Sequence, residues 1–191
     1  MTETLDGNAP STYRPEFKAA LRVFARVSEA MKARGFLAPV LVGGAAVEFY
    51  TASAIATGDF DVVTPRQEEF EEELRRHGFT KPEGKGHTPL GWVHPDLRLG
   101  FEVVSETLLD GYADRTRVRM ISTGPDGTAC FISLEDMIAD RMGQYASGTA
   151  PDMLDQARAL FALYPDADRT YMDARIRHET AGDHGIDFLE G

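Results

Sequence analysis

Cysteine is almost absent: Cys130 is the single one in 191 residues. That excludes a disulfide framework and a cysteine-rich zinc site. Its neighbours, "ACFIS", read as a buried strand, where a thiol serves as an inert apolar filler. Long apolar runs are missing too. No stretch approaches the roughly 18 uncharged residues of a membrane-spanning helix, and the polar opening "MTETLDGNAPS" lacks a signal-peptide pattern. Positive charge is scarce. Lys and Arg number 20 against 31 Asp and Glu, a formal net charge of −11. Such a chain repels nucleic acid and anionic lipid unless a local basic patch or a bound cation overrides the field. Repeats and low-complexity blocks are also lacking. The absences together predict a cytoplasmic protein without a membrane anchor.

What remains is an ordinary globular composition, 42% apolar and 27% charged. The length suits one domain, or a core with a small appendage. Residues 1–12 are expected to be flexible or loosely attached. From Pro15 an apolar stripe of Phe17, Leu21, Phe24 and Met31 predicts a helix that Gly35 stops. "APVLVGG" reads as a short buried strand, "AAVEFYTASA" as a helix starting directly off the glycines, and "DFDVVT" as the next strand. In "TPRQEEFEEELRRHG" Thr64 suits the cap and Gly78 the stop. Phe70, Leu74 and His77 form the inward stripe, and the acids and arginines complement the macrodipole.

Residues 79–96 are rich in Gly and Pro and predict a loop with a short strand near Trp92. "LRLGFEVVSE" is a further strand, and "TRVRMIST", "GPDG" and "TACFIS" form a hairpin with a long turn. Beyond this the pattern is helical. Ser133 with Asp136, and Thr149 with Asp152, resemble capping boxes. A last helix is expected over about 168–180. The expected fold class is α/β (α+β): a mixed-sheet core over 1–132 with flanking helices, and a small helical module over 133–191.

Chemistry concentrates at "ATGDFDVVTP". Strand alternation puts Asp59 and Asp61 on one face and Phe60 and Val62 on the other. Two carboxylates on one face repel each other unless a cation or hydrogen-bond donors compensate. Magnesium prefers carboxylate oxygens, retained water and substrate phosphates. Alone the pair is a weak signal, since Asp often opens a strand after a turn. Three features add to it. Gly43-Gly44 lies at a strand-to-helix junction, where backbone N–H groups can approach a phosphate. Glu102 sits between Phe101 and Val103; it reads either as a third metal-holding carboxylate or as an exposed acid on a half-solvated strand. Arg141 falls inside the apolar stripe of Leu134, Met137, Ile138, Met142 and Tyr145. A buried cation there serves either a phosphate or an ion pair tying the helical module to the core. His87, His94, His178 and His184 show no metal-ligand spacing.

A Gly-Gly at a strand–helix turn, "DFD" on the next strand and one acid on a later strand resemble the DNA polymerase β-like nucleotidyltransferase superfamily. The segment "SLEDMIADRMGQY…PDMLDQARAL" is similar to its toxin–antitoxin-associated branch, the AbiEii-like and minimal nucleotidyltransferases. Arg141 stands where that branch has a lysine, and Asp152 and Asp155 are candidates for a later aspartate. The resemblance implies that Gly43, Gly44 and Arg141 bind a nucleoside triphosphate. It implies that Asp59, Asp61 and Glu102 hold two Mg2+ ions and carry catalysis. The acceptor would be a hydroxyl, for instance on a tRNA end or a protein side chain. Four departures stand out: Ala45 after the glycines, no basic residue in "AIATG", Glu as the third acid, and Arg141 for lysine. They motivate an alternative, a non-catalytic binding, antitoxin or regulatory module with a partner protein. A third reading is an accidental Asp-x-Asp, which predicts Glu102 far from the pair and no cleft beside it.

Overall fold

The computed structural model describes the backbone of residues 3–4 and residues 12–82, 91–97 and 99–190 in full. The N-terminal expectation falls largely outside these residues. The part described, β1 (Glu3–Thr4), pairs parallel to a later strand rather than standing loose. Most of the Gly/Pro-rich loop, residues 83–90, also lies outside them.

Helix α1 (Pro15–Ala33) starts at a proline whose missing N–H costs a first turn nothing. It ends in a Schellman arrangement: Gly35, at φ 83°, donates to the Lys32 carbonyl, and Phe36 N–H donates to Met31 at 3.1 Å. The predicted stripe is fully buried. Strand β2 (Val40–Val42) passes directly into α2 (Gly43–Tyr50), and β3 (Asp59–Val63) follows. Helix α3 (Gln67–Arg76) ends as expected at Gly78. Its start differs from expectation. Thr64 is buried ahead of the helix and accepts the Arg66 N–H at 3.2 Å, so it shapes the turn instead of capping.

Strands β4 (Trp92–Val93), β5 (Gly100–Ser105), β6 (Arg119–Ser122) and β7 (Thr128–Phe131) complete a sheet of order β1-β6-β7-β2-β3-β5-β4. β2 runs antiparallel to β3 and parallel to β7, and β3 runs parallel to β5. One face of β3 and β5 carries Phe60 and Phe101, ring centroids 5.0 Å apart, with Phe17 and Phe24 of α1 stacked over them. Cys130 is buried in this sheet, and burial raises its thiol pKa, as an inert thiol requires.

Three helices follow: α4 (Leu134–Ala146), α5 (Met153–Leu163) and α6 (Arg169–Glu179). Ser133 caps α4, its Oγ accepting the Asp136 N–H at 3.1 Å. The Thr149–Asp152 pair forms no such box: Asp152 precedes α5 with no side-chain cap, and the Thr149 hydroxyl meets Ser147 instead. Helix α4 packs on α5, α6 and α2. No helix among the described residues is long and apolar enough to cross a membrane.

Candidate active site

Strand register builds the site. Asp61 pairs with Glu102 across the parallel β3–β5 ladder and with Val42 across β2–β3, while Asp59 pairs with Gly100. Paired residues on neighbouring strands point to the same face. Asp59, Asp61 and Glu102 therefore share the face opposite Phe60 and Phe101. Glu102 therefore lies beside the pair and not far from it, the opposite of what the accidental reading predicts. Asp59 is exposed, and Asp61 and Glu102 are half-buried.

Both aspartates stand against glycines. A Cβ on Gly43 would lie 1.9 Å from Asp61 Oδ2, and one on Gly100 would lie 3.0 Å from Asp59 Oδ1. Gly43 also has φ 54°, a conformation glycine adopts without steric cost. The Gly44 N–H points at Asp61 Oδ2 from 3.4 Å. The glycine turn thus makes room for the acid as well as for any ligand. Gly44 has a neighbour of its own: its missing Cβ would stand 2.3 Å from the Thr57 hydroxyl. Gly100 and Thr57 escaped the sequence reading. The available signal for Gly100 was a glycine inside a strand pattern, which marks a close approach.

Burial raises the Asp61 pKa, and the charges of Glu102 and Asp59 push the same way. The Gly44 N–H and the Arg141 charge pull it down without cancelling the rise. Arg141 projects from α4 and is about nine-tenths buried. Its Nη1 meets Asp140 of the same helix at 3.3 Å, so the expected ion pair from the helical module to the core is not the one formed. Its Nε is buried without a hydrogen-bond partner. Asp140 accepts from Gln144 at 2.9 Å, and burial raises its pKa.

Asp61 and Arg141 stand between two cavities. One, of about 460 Å³, lies toward Gly43, Leu109, Asp110, Asp140 and Glu179. The other, of about 390 Å³, lies toward Gly44, Thr57, Asp59, Met153 and Gln156. A larger hollow of about 570 Å³ around Arg117, Met120 and Leu163 is separate from the acids. Asp152, just ahead of α5, and Asp155 on it are exposed and line neither cavity beside Asp61. Among the described residues no three His, Cys, Asp or Glu side chains stand close enough to hold one metal ion. Carboxylate oxygens are the donor type magnesium takes, but Asp59, Asp61 and Glu102 do not converge on one point.

No protein-family model and no curated protein matches the chain. Solved structures do. An antigenic nucleotidyltransferase-like protein from Paracoccidioides brasiliensis superposes with a TM-score of 0.59 at 12% identity, over 93% of this chain and 94% of its own. The antibiotic-resistance factor ANT(2'')-Ia, known from a solution structure, gives 0.55 at 14% identity, over 85% and 92%. The chain shares its fold with a nucleotidyltransferase-like protein. On this fold, Asp61 and Glu102 are register partners on β3 and β5, and Gly43 abuts the Asp61 carboxylate.

Proposed function

We propose that this chain transfers a nucleotidyl group from a nucleoside triphosphate to an acceptor hydroxyl. One observation carries the reading. Asp61 lies in register with Glu102, beneath the Gly43-Gly44 turn, and feels the charge of Arg141, whose buried Nε has no partner. An unpaired guanidinium nitrogen beside repelling carboxylates suits a ligand that brings phosphate and cations together. Gly44 and the first turn of α2 would offer N–H groups to the triphosphate, and Arg141 would meet its negative charge. Asp59, Asp61 and Glu102 would hold two magnesium ions. Bound there, the ions would neutralise the triphosphate and stabilise the attacking and leaving oxygens of an in-line displacement. Asp110, Asp140 and Glu179 on the larger of the two cavities, with the acidic net charge, disfavour a long polyanion as acceptor. A tRNA end or a protein side chain suits the space better. The place near the toxin–antitoxin branch rests on the segment "SLEDMIADRMGQY…PDMLDQARAL", in which Arg141 replaces that branch's lysine.

The test is label transfer. Full-length protein incubated with magnesium, each labelled triphosphate and candidate acceptors is expected to yield a labelled product. Asp61→Ala is expected to abolish it. Equal incorporation by that variant would remove Asp61 from the chemistry.

A second reading, a non-catalytic nucleotide- or partner-binding module, is favoured by one fact: the three carboxylates do not converge on one point among the described residues. Calorimetric binding of Mg-ATP without transfer to any acceptor would select it.

A further inference from the structure

A buried network stands behind Asp59, and none of the residues assigned above to cations or phosphate belongs to it. Glu48 lies on α2 with its side chain fully buried. Arg14, the residue before α1, grips it twice, Nε donating to Oε1 at 2.6 Å and Nη2 to Oε2 at 2.9 Å. Ser53 Oγ donates to Oε1 at 2.9 Å, and the Thr57 backbone N–H donates to Oε2 at 2.7 Å. Arg14 Nη2 also donates to the Thr57 carbonyl. Thr57 is therefore clamped through both of its backbone groups. No basic residue stands in "AIATG" before Asp59; Arg14 brings a guanidinium there from a distant part of the chain.

The clamp has an output. Thr57 Oγ1 donates to the Asp59 carbonyl at 2.8 Å and accepts the Asp59 N–H at 3.3 Å. The same oxygen fills the space a Gly44 side chain would need. One hydroxyl thus touches both the start of the acidic strand and the glycine turn. The loop between them is held in a disfavoured form, with Ala52 at φ 50° and Ser53 at φ 64°. Non-glycine residues keep such angles only where their surroundings over-determine them. Burying the Glu48 carboxylate under a part-exposed Arg14 is a costly way to close an ordinary loop. Fixing the geometry of a site is a use that matches the cost.

We propose that Arg14, Glu48 and Thr57 form a positioning device for the candidate active site. The ion pair fixes Thr57, and the Thr57 hydroxyl sets both the Asp59 backbone and the gap at Gly44. The proposal rests on reading Asp59 and Gly44 as the cation- and phosphate-facing residues. The three would act through Asp59 and Gly44, as positioning residues.

Thr57→Val keeps the volume and removes the hydroxyl, while Thr57→Ser keeps the hydroxyl. Two measurements on the full chain decide: amide hydrogen exchange at Asp59, and Mg-ATP affinity by calorimetry. Thr57→Val is expected to speed Asp59 exchange and weaken Mg-ATP binding by about tenfold each, the scale of one lost hydrogen bond. Thr57→Ser should match the wild type in both. Arg14→Lys, which loses the second donor to Thr57, should share the faster exchange. Unchanged Asp59 exchange in Thr57→Val overturns the device. Faster exchange with wild-type Mg-ATP affinity reduces it to a loop anchor and overturns its role at the site. A wild type that binds no Mg-ATP defeats the nucleotide reading instead, and exchange alone then decides whether Thr57 positions Asp59.

Discussion

Gly43 lacks a side chain because Asp61 occupies its place. A Cβ would sit 1.9 Å from the carboxylate, on a backbone at φ 54°. Gly43→Ala is expected to lose about 1–2 kcal/mol from the left-handed backbone alone and to displace Asp61. Urea unfolding should show the stability loss, and calorimetry should show weaker Mg-ATP binding. Asp61 itself is a standing cost. Its folded-state pKa lies above its unfolded value, chiefly through burial. The folded protein therefore keeps a proton that the unfolded chain releases. Stability falls as pH rises from the ordinary carboxylate range through the raised pKa, and the cost is fully present above it. Asp61→Asn should then melt above the wild type at pH 7, with the gap narrowing in acid, while label transfer is lost. A lower melting temperature at pH 7 would show that Arg141 and Gly44 outweigh burial. The sequence put Asp59 and Asp61 on one face by alternation alone. It could not show that Gly43 and Gly100 are their counterparts, because each contact crosses between strands.

At the scale of elements, the joint between α4 and α6 is ionic and buried. Asp136 meets Arg175 Nε at 2.9 Å, with side chains 1% and 7% exposed, and the Tyr171 hydroxyl donates to the same carboxylate. Removing one partner of such a pair leaves a buried charge, so Arg175→Ala should cost about 3–5 kcal/mol in chemical unfolding. A change below about 1 kcal/mol would mean that the pair acts as a surface bridge. From sequence Asp136 was the far half of a capping box. Half of that reading held: its N–H does meet Ser133 Oγ, but its carboxylate reaches both that hydroxyl and α6. Capping signals are local and cheap, and a distant arginine competes for the same carboxylate. Thr64 and Thr149 were lost to similar competition from nearby turns. Helix stops fared better, since Gly35 and Gly78 act through their own backbone.

Across the whole molecule, the helices after residue 132 belong to the site as much as the sheet does. Arg141 comes from α4, and the Tyr164 hydroxyl beyond α5 donates to the Tyr50 carbonyl at 2.8 Å. These contacts should make the core over 1–132 and the segment over 133–191 unfold together. Scanning calorimetry is expected to show one transition. Two resolved transitions would mark the helical segment as an independent unit.

What the sequence determined by itself is whatever rests on local periodicity and backbone chemistry. That covers the helix from Pro15, the helix that Gly78 stops, the strand–glycine–helix turn at Val42–Gly43, and the shared face of Asp59 and Asp61. Even Arg141 could be seen as misplaced in an apolar stripe, because helical spacing alone reveals it. Tertiary structure decided the rest. The order β7-β2-β3-β5 brings Glu102 beside Asp61. Packing of α4 brings Arg141 to the cavities that Asp61 lines and leaves its Nε unpaired. Glu48, fully buried on a short apolar helix, acquires its meaning only when Arg14 folds back onto it from 34 residues away. Pairing between distant segments depends on the global fold, which no local pattern encodes.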